Sequence, residues 1–285
     1  MKPAPFVYHA PKTLDDALAH LAEFGPQDGR VLAGGQSLIP MMAFRMARPA
    51  HLVDINTVAG LDRLAVEDGV LSVGACVRHA AFHRPVVEGP TGTLLSHVVR
   101  DIAHYPIRLR GTFCGSLAHA DPASEWCLTA VTLGAEIVAA SRRGRRLIAA
   151  DDFFAGLMAT ALAEDELLLE ARLPLLAPDT RCGFYEFSRR AGDYALAMAL
   201  VAFRLEDGVI AEPRIGIGGA EAQPRRIAAA EAVLAGRKPD DEGFRAAAEA
   251  AAAAVEPMED IHADAEFRLD LVRAVTRRAL ERAQA

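Results

Sequence analysis

Hydrophobic and polar positions along this chain follow two periods, and the balance between them shifts twice. Residues 13–21 carry apolar side chains at helical spacing behind Thr13, whose hydroxyl suits an N-cap. Residues 30–33 then read as a short buried strand, turned by Gly34-Gly35. Ser37 stands where a cap would open a helix running to about Phe44. Pro40 falls in the first turn of that helix, where a missing N–H costs little. Residues 51–55 form another strand, so residues 1–56 are expected to make a small α+β unit.

From Leu61 onward the pattern becomes richer in strands. Residues 64–66, 70–73 and 136–138 are strand-like, while 79–82, 90–99 and 122–133 are helix-like. A turn at 151–154 and a strand over 166–173 close a second unit, residues 57–175. The basic run Ser141-Arg142-Arg143-Gly144-Arg145-Arg146 sits between two apolar runs and predicts a hairpin tip. Two prolines within residues 174–178 mark a linker. Beyond it, strands over 183–188, 197–205 and 213–218 precede helices over 224–235, 243–255 and 267–283. Asp207-Gly208 turns a hairpin into Val209-Ile210. Three strands followed by three helices predict a separate α+β domain, residues 176–285, with the helices on one sheet face.

Composition narrows the function. At 285 residues and 52% hydrophobic, the chain can bury a large core and hold two or three substructures. A net charge of −7 argues against nucleic acid as a partner. The N-terminal residues show no apolar signal region, and no run of 18 apolar residues predicts a membrane span. The four cysteines, Cys76, Cys114, Cys127 and Cys182, form no C-x-x-C pair. They predict neither a zinc site, an iron–sulfur site nor a disulfide framework, so a reduced, cytoplasmic protein is expected. Any redox metal centre would belong to another chain.

Two small-residue loops carry the candidate chemistry. The first is Ala33-Gly34-Gly35-Gln36-Ser37-Leu38; the second runs from Arg110 through Gly111-Thr112-Phe113-Cys114-Gly115-Ser116 to Asp121-Pro122. Each is expected to leave a strand and enter a helix. Helix N-termini favour anions, and glycine lets amides approach phosphate oxygens closely, so the pair suggests two cradles on one diphosphate. Other constellations are weaker. His119 and Asp121 are only two apart and no G-x-S-x-G elbow exists, which argues against a hydrolase triad with Ser116. His97 and His104, seven apart, have no metal-ligand spacing. Gly216-Ile217-Gly218-Gly219 lacks the third glycine of a dinucleotide fingerprint and reads as a strand end. A thiol at a helix N-terminus can have a lowered pKa, but Cys114 is expected to be a packing side chain.

With these motifs in order, the whole chain resembles the medium, FAD-binding subunits of the molybdenum hydroxylases, the family of carbon monoxide dehydrogenase flavoproteins and xanthine dehydrogenase FAD domains. The first loop is similar to that family's Ala-Gly-Gly, His or Gln, Ser-Leu-x-Pro. The second is similar to its Arg-Gly-Thr-Ile-Gly-Gly-Ser-Leu-Ala-His-Ala-Asp-Pro. Phe184 to Phe187 and Arg190 to Ala195 resemble the segment that opens its C-terminal domain, and Gly218-Gly219 through Pro224-Arg225 a later element. The resemblance implies a two-subdomain FAD module of the vanillyl-alcohol-oxidase (PCMH) type followed by a small α+β domain with a three-stranded sheet. It implies that Ala33, Gly34, Gly35, Gln36, Ser37 and Leu38 bind the FAD pyrophosphate, with Thr112, Cys114, Gly115 and Ser116 opposite. Asp121 would bond ribityl or ribose hydroxyls, Ile55 would lie near the adenine, and Tyr194 near the isoalloxazine. It further implies electron transfer without a catalytic acid or base in this chain. Molybdopterin would sit in a large partner subunit and [2Fe-2S] clusters in a small one, within a dimer of heterotrimers.

Two departures bear on this expectation: Cys114 replaces a family glycine, and Leu109 replaces a usually polar residue. A positive φ at Cys114 would cost roughly 1 kcal/mol or more. The alternative is that its amide keeps its role while its thiol fills a small gap. An independent flavin oxidase or reductase, and an assembly subunit without flavin, are the competing readings; the second rests on Cys114 alone.

Overall fold

A computed structural model describes residues 2–284. Its first sheet holds β1 (Val7–His9), β2 (Gly29–Leu32) and β3 (His51–Asp54), all parallel, in the order β1-β3-β2. Helix α1 (Leu14–Phe24) buries Ala17, Leu18 and Leu21, and Thr13 caps it by accepting from the Asp16 amide. Helix α2 (Leu38–Ala43) follows β2 through the first loop. Strand β1 lies in a stretch that the pattern leaves without an element, because its Val7 and Tyr8 are exposed.

The second sheet is antiparallel, in the order β4-β5-β10-β6-β7. Strands β4 (Leu64–Glu67) and β5 (Val70–Gly74) come first in the chain. A helical excursion of α3 (Pro90–Val98), α4 (Tyr105–Arg108), α5 (Phe113–His119) and α6 (Glu125–Leu133) follows. Strands β6 (Glu136–Ser141) and β7 (Gly144–Ala149) form the expected hairpin, with the basic run at its tip. A short α7 (Ala150–Phe153) and a small hairpin of β8 (Phe154–Gly156) and β9 (Ala159–Thr160) lead into β10 (Leu167–Pro174). Strand β10 enters the middle of the sheet and is apolar on both faces, with Leu167, Leu168, Ala171 and Leu173 buried. Residues 79–82, read as helix, form part of a tighter 3-10 turn, His79–His83.

The third sheet is antiparallel in the order β11-β12-β13-β14, from β11 (Arg181–Phe187), β12 (Ala197–Glu206), β13 (Val209–Gly218) and β14 (Arg225–Arg226). The three expected strands form and the two-residue β14 joins them as a fourth. Strand β13 is continuous where two pieces are expected. A pairing shift opposite Ala202 and Arg204, with Glu212 at φ 49°, absorbs Pro213, which has no N–H to give a ladder. Helices α8 (Ala228–Leu234), α9 (Asp241–Ala254) and α10 (Ala265–Gln284) complete the chain, with α10 lying across β11 and β12.

Strand β12 shows how this last sheet is anchored. Side chains alternate across a strand. Ala197, Ala199, Val201 and Phe203 enter the core under α8 to α10, while Met198 and Leu200 enter the core of the second sheet and its helices. Gly216 on β13 packs against α6 so closely that a Cβ there would meet Thr132 Oγ1 at 1.9 Å. The C-terminal sheet is therefore covered on both faces.

Candidate functional site

The two small-residue loops meet. A Cβ on Gly34 would lie 2.4 Å from the Arg110 carbonyl oxygen and 2.6 Å from Gly111 Cα. Only a residue without a side chain permits this backbone-to-backbone approach. Gly35 adopts φ +71°, a conformation that L side chains rarely take. The contact lies in a cleft of about 690 Å³ lined by residues 33–38, Ile55, Thr112, Cys114, Gly115 and Ser116. Eleven of the thirteen candidate residues thus share one cavity.

The amide census separates the two loops. Among the described residues the N–H groups of Gly34, Gly35, Gln36, Ser37 and Leu38 meet no acceptor. Ser37 holds the N-cap position of α2, but its side chain makes no capping bond, so the hydroxyl stays available to a ligand. In the second loop Thr112 caps α5: its Oγ1 accepts the Gly115 amide at 3.0 Å, and its carbonyl accepts the Ser116 amide at 3.1 Å. Among the described residues the Thr112 and Cys114 amides meet no acceptor. This loop does not leave a strand, contrary to expectation. It leaves α4, and only an isolated bridge pairs Arg78 with Thr112. Alternation over four residues cannot separate a strand from one helical turn, and Pro106 in the first turn decides for the turn.

Cys114 is buried within α5, away from positive φ, and its thiol donates to the Val73 carbonyl at 3.2 Å. The strain that a positive φ would bring does not arise. Burial raises its pKa, opposite to what a helix N-terminus alone would do. Leu109 is half exposed and lies outside the cleft, so neither departure obstructs it.

Two expected residues are not brought into the cleft. Asp121 follows the end of α5 and accepts the Ala123 amide at 2.9 Å in a local turn. Tyr194 stands 71% exposed in the connection from β11 to β12. A histidine unmarked by any sequence signal takes a place instead. His79 is buried, lines the cleft and backs Gly111, where a Cβ would meet its Nε2 at 2.5 Å. Trp126 Nε1 donates to His79 Nδ1 at 2.9 Å, so Nε2 carries the hydrogen of the neutral ring. Burial, then Arg108 and Arg78, lower its pKa to about 3. Glu166, also in the lining, is held ionised by a two-point bond to Arg146 at 2.7 and 2.8 Å, which lowers its pKa. Asp28 and Glu164, and with them Arg30 and Arg48, also line the cavity, so its charges are mixed.

Residues 4–176 match the family described as FAD binding domain in molybdopterin dehydrogenase, and residues 183–283 match the CO dehydrogenase flavoprotein C-terminal domain. The chain belongs to this FAD-binding family. It is 38% identical to the nicotine 6-hydroxylase medium subunit of Paenarthrobacter nicotinovorans, covering 100% of this chain and 99% of that one. It is 34% identical to the carbon monoxide dehydrogenase medium chain of Hydrogenophaga pseudoflava over the same shares. The solved structure of carbon monoxide dehydrogenase from Hydrogenophaga pseudoflava lacking the Mo-pyranopterin moiety superposes with a TM-score of 0.95 at 36% identity, covering 100% and 99%. Quinoline 2-oxidoreductase from Pseudomonas putida 86 superposes at 0.92, with 37% identity over the same shares.

As a member of this family the chain is a flavoprotein subunit of a molybdenum-containing oxidoreductase, and its cofactor is FAD. The residues present fit that cofactor. The Gly34 contact leaves a place that a Cβ would fill, and residues with open amides line the same cleft. Among the described residues no group of three or more His, Cys, Asp or Glu could hold a metal ion, all four cysteines are free, and no helix is long and apolar enough to cross a membrane.

Proposed function

We propose that this chain is the FAD-binding electron-transfer subunit of a heterotrimeric molybdenum hydroxylase, taking electrons from [2Fe-2S] clusters of a small partner and passing them to an external acceptor. A large partner would hold molybdopterin and oxidise the substrate, and two heterotrimers would associate. The observation that carries the reading is the Gly34–Gly111 contact in the same cleft as the open amides of Gly34 to Leu38. These amides, the Cys114 amide and the Ser37 hydroxyl would hold the pyrophosphate. FAD, when bound, supplies the redox chemistry. The chain contributes position and electrostatics: His79 stays neutral behind the second loop, and the Arg146–Glu166 pair keeps an acidic side chain of the lining charge-compensated. Ile55, in the lining, is assigned to the adenine end, and Asp121 and Tyr194 to the portion of FAD reaching past the cleft.

The three sheets support subdomains at 1–56, 57–175 and 176–285. Free cysteines suit a reducing cytoplasm. The deciding experiment is the visible spectrum and metal content of the complex purified through this chain. Flavin near one per chain with molybdenum and iron in associated subunits supports the proposal. Flavin in a lone chain that reduces an acceptor with its own small substrate would replace it with an independent oxidoreductase.

A further inference from the structure

We propose that Asn56 and Arg78 are positioning residues for FAD, joining the two cradle loops into one seat. The inference rests on the FAD reading proposed for this chain. The loops meet through Gly34, Arg110 and Gly111, yet no main-chain hydrogen bond joins them among the described residues. The polar link runs through two side chains that are absent from the cleft lining. Asn56 Nδ2 donates to the Ala33 carbonyl at 2.7 Å. One guanidinium nitrogen of Arg78 donates to Asn56 Oδ1 at 2.6 Å, and the other donates to the Arg110 carbonyl. The two backbone acceptors are thus the carbonyls directly ahead of Gly34 and Gly111.

That placement has a geometric consequence. In a trans peptide the C=O and the following N–H point to opposite sides. Holding the Ala33 carbonyl back on Asn56 turns the Gly34 N–H away from Asn56, and so orients the start of the open amide run. Asn56 is itself aimed by Asp54. Asp54 Oδ1 accepts the Asn56 amide at 2.9 Å and Nδ2 at 2.6 Å, while Oδ2 accepts the Tyr8 hydroxyl at 2.6 Å. Arg78 travels with the second loop, because the amides on either side of the Arg78–Thr112 bridge pair across it: His79 to Gly111 and Phe113 to Val77, both at 3.0 Å. A hydrogen-bonded chain therefore runs from β1 to the mouth of α5. Asn56 and Arg78 line a separate hollow of about 490 Å³ and are absent from the cleft lining, so they act through the loops. Both residue types suit a bridge of this kind, since an amide can donate and accept at once and only arginine offers a rigid two-point fork.

The test is the rate of FAD release from the full chain, read from the fluorescence of freed FAD, beside the melting midpoint of the FAD-stripped chain. Asn56→Ala and Arg78→Gln are each expected to release FAD about tenfold faster, the size of one lost hydrogen-bonded link, with the FAD-free midpoint unchanged. The double variant should release no faster than either single one, because both break the same link. Arg78→Lys keeps the charge without the fork and should behave like Arg78→Gln. Arg63→Ala, which removes an exposed pair with Glu67, should match wild type. Wild-type release from Asn56→Ala or Arg78→Lys overturns the inference. So does a fall in the FAD-free midpoint large enough to account for the faster release. Additive effects in the double variant overturn the shared link. A wild-type chain that holds no FAD overturns the FAD reading instead.

Discussion

Residues 33–38 are half-buried along their length and leave a run of amides open, whereas residues 112–116 begin a helix whose Phe113 and Cys114 are buried and whose Thr112 spends the Gly115 amide on a cap. Both segments are rich in small residues, but for different reasons. In the first, Gly34 is required by a backbone contact and Gly35 by a positive φ. In the second, Gly111 is required by the His79 ring, while position 114 needs no glycine because its side chain points into the core. A glycine-to-cysteine departure is therefore tolerated in one loop at a place with no equivalent in the other.

The sharpest way to break this contrast is Gly34→Ala. Its Cβ would collide with rigid backbone, and overpacking of that kind should weaken FAD binding by about a hundredfold. Flavin content per chain after gel filtration checks it; retention of full flavin would mean that the loops are free to part.

Acid should loosen the second loop. The folded His79 has a pKa lowered to about 3, against 6.5 for the free ring, so between these values unfolding takes up a proton that the folded chain refuses. The stability it contributes is present above pH 6.5 and is lost as pH falls toward 3. The melting midpoint measured across that range should fall, and less steeply in His79→Gln. The carboxyl pair Glu125 and Glu186 gives the opposite slope. Burial, first, raises both pKa values above the ordinary 4.5, helped by the Asp101 charge at Glu125 and by the Glu125 and Asp101 charges at Glu186, so the folded chain keeps protons that the unfolded one releases. Their contribution is present below pH 4.5 and is lost as pH rises through the raised values. Glu186→Gln should flatten the alkaline limb of the same profile.

A smaller effect tests the cap. Thr112→Val removes the oxygen that accepts the Gly115 amide and should cost about 1 kcal/mol, read as a lower denaturant midpoint at constant m. The smallest effect is expected at the departure itself. Cys114→Ala should retain FAD and lose on the order of 1 kcal/mol of packing, and in the folded chain the thiol should resist alkylation at neutral pH because burial raises its pKa. Rapid alkylation would mean that the Cys114 thiol opens to the cleft rather than to the core, and would erase the distinction between the loops.

Much of the fold was legible from local pattern. Thr13 caps α1 as its spacing predicts, the basic run turns the β6–β7 hairpin, and Asp207-Gly208 joins β12 to β13. Elements without local contrast were not legible. Strand β1 is exposed and held by pairing with β3, and α4 is a single turn whose alternation resembles a strand. Of the site, the loops were visible through glycine and through the family resemblance. His79 was not, because its neutrality comes from Trp126 and from burial, neither of which spacing reports.

The sequence by itself determined the order of most strands and helices and the two glycine loops, because capping, turn chemistry and side-chain period act over a few residues, and its motifs carried the family resemblance that makes FAD the cofactor. Only the tertiary structure decided which amides stay open, that Asp121 and Tyr194 stand outside the cleft, and that Asn56 and Arg78 bridge the loops. Those outcomes depend on contacts between residues far apart in the chain. Each is settled by which acceptor lies within hydrogen-bond reach once the sheets have packed, a quantity with no local signature.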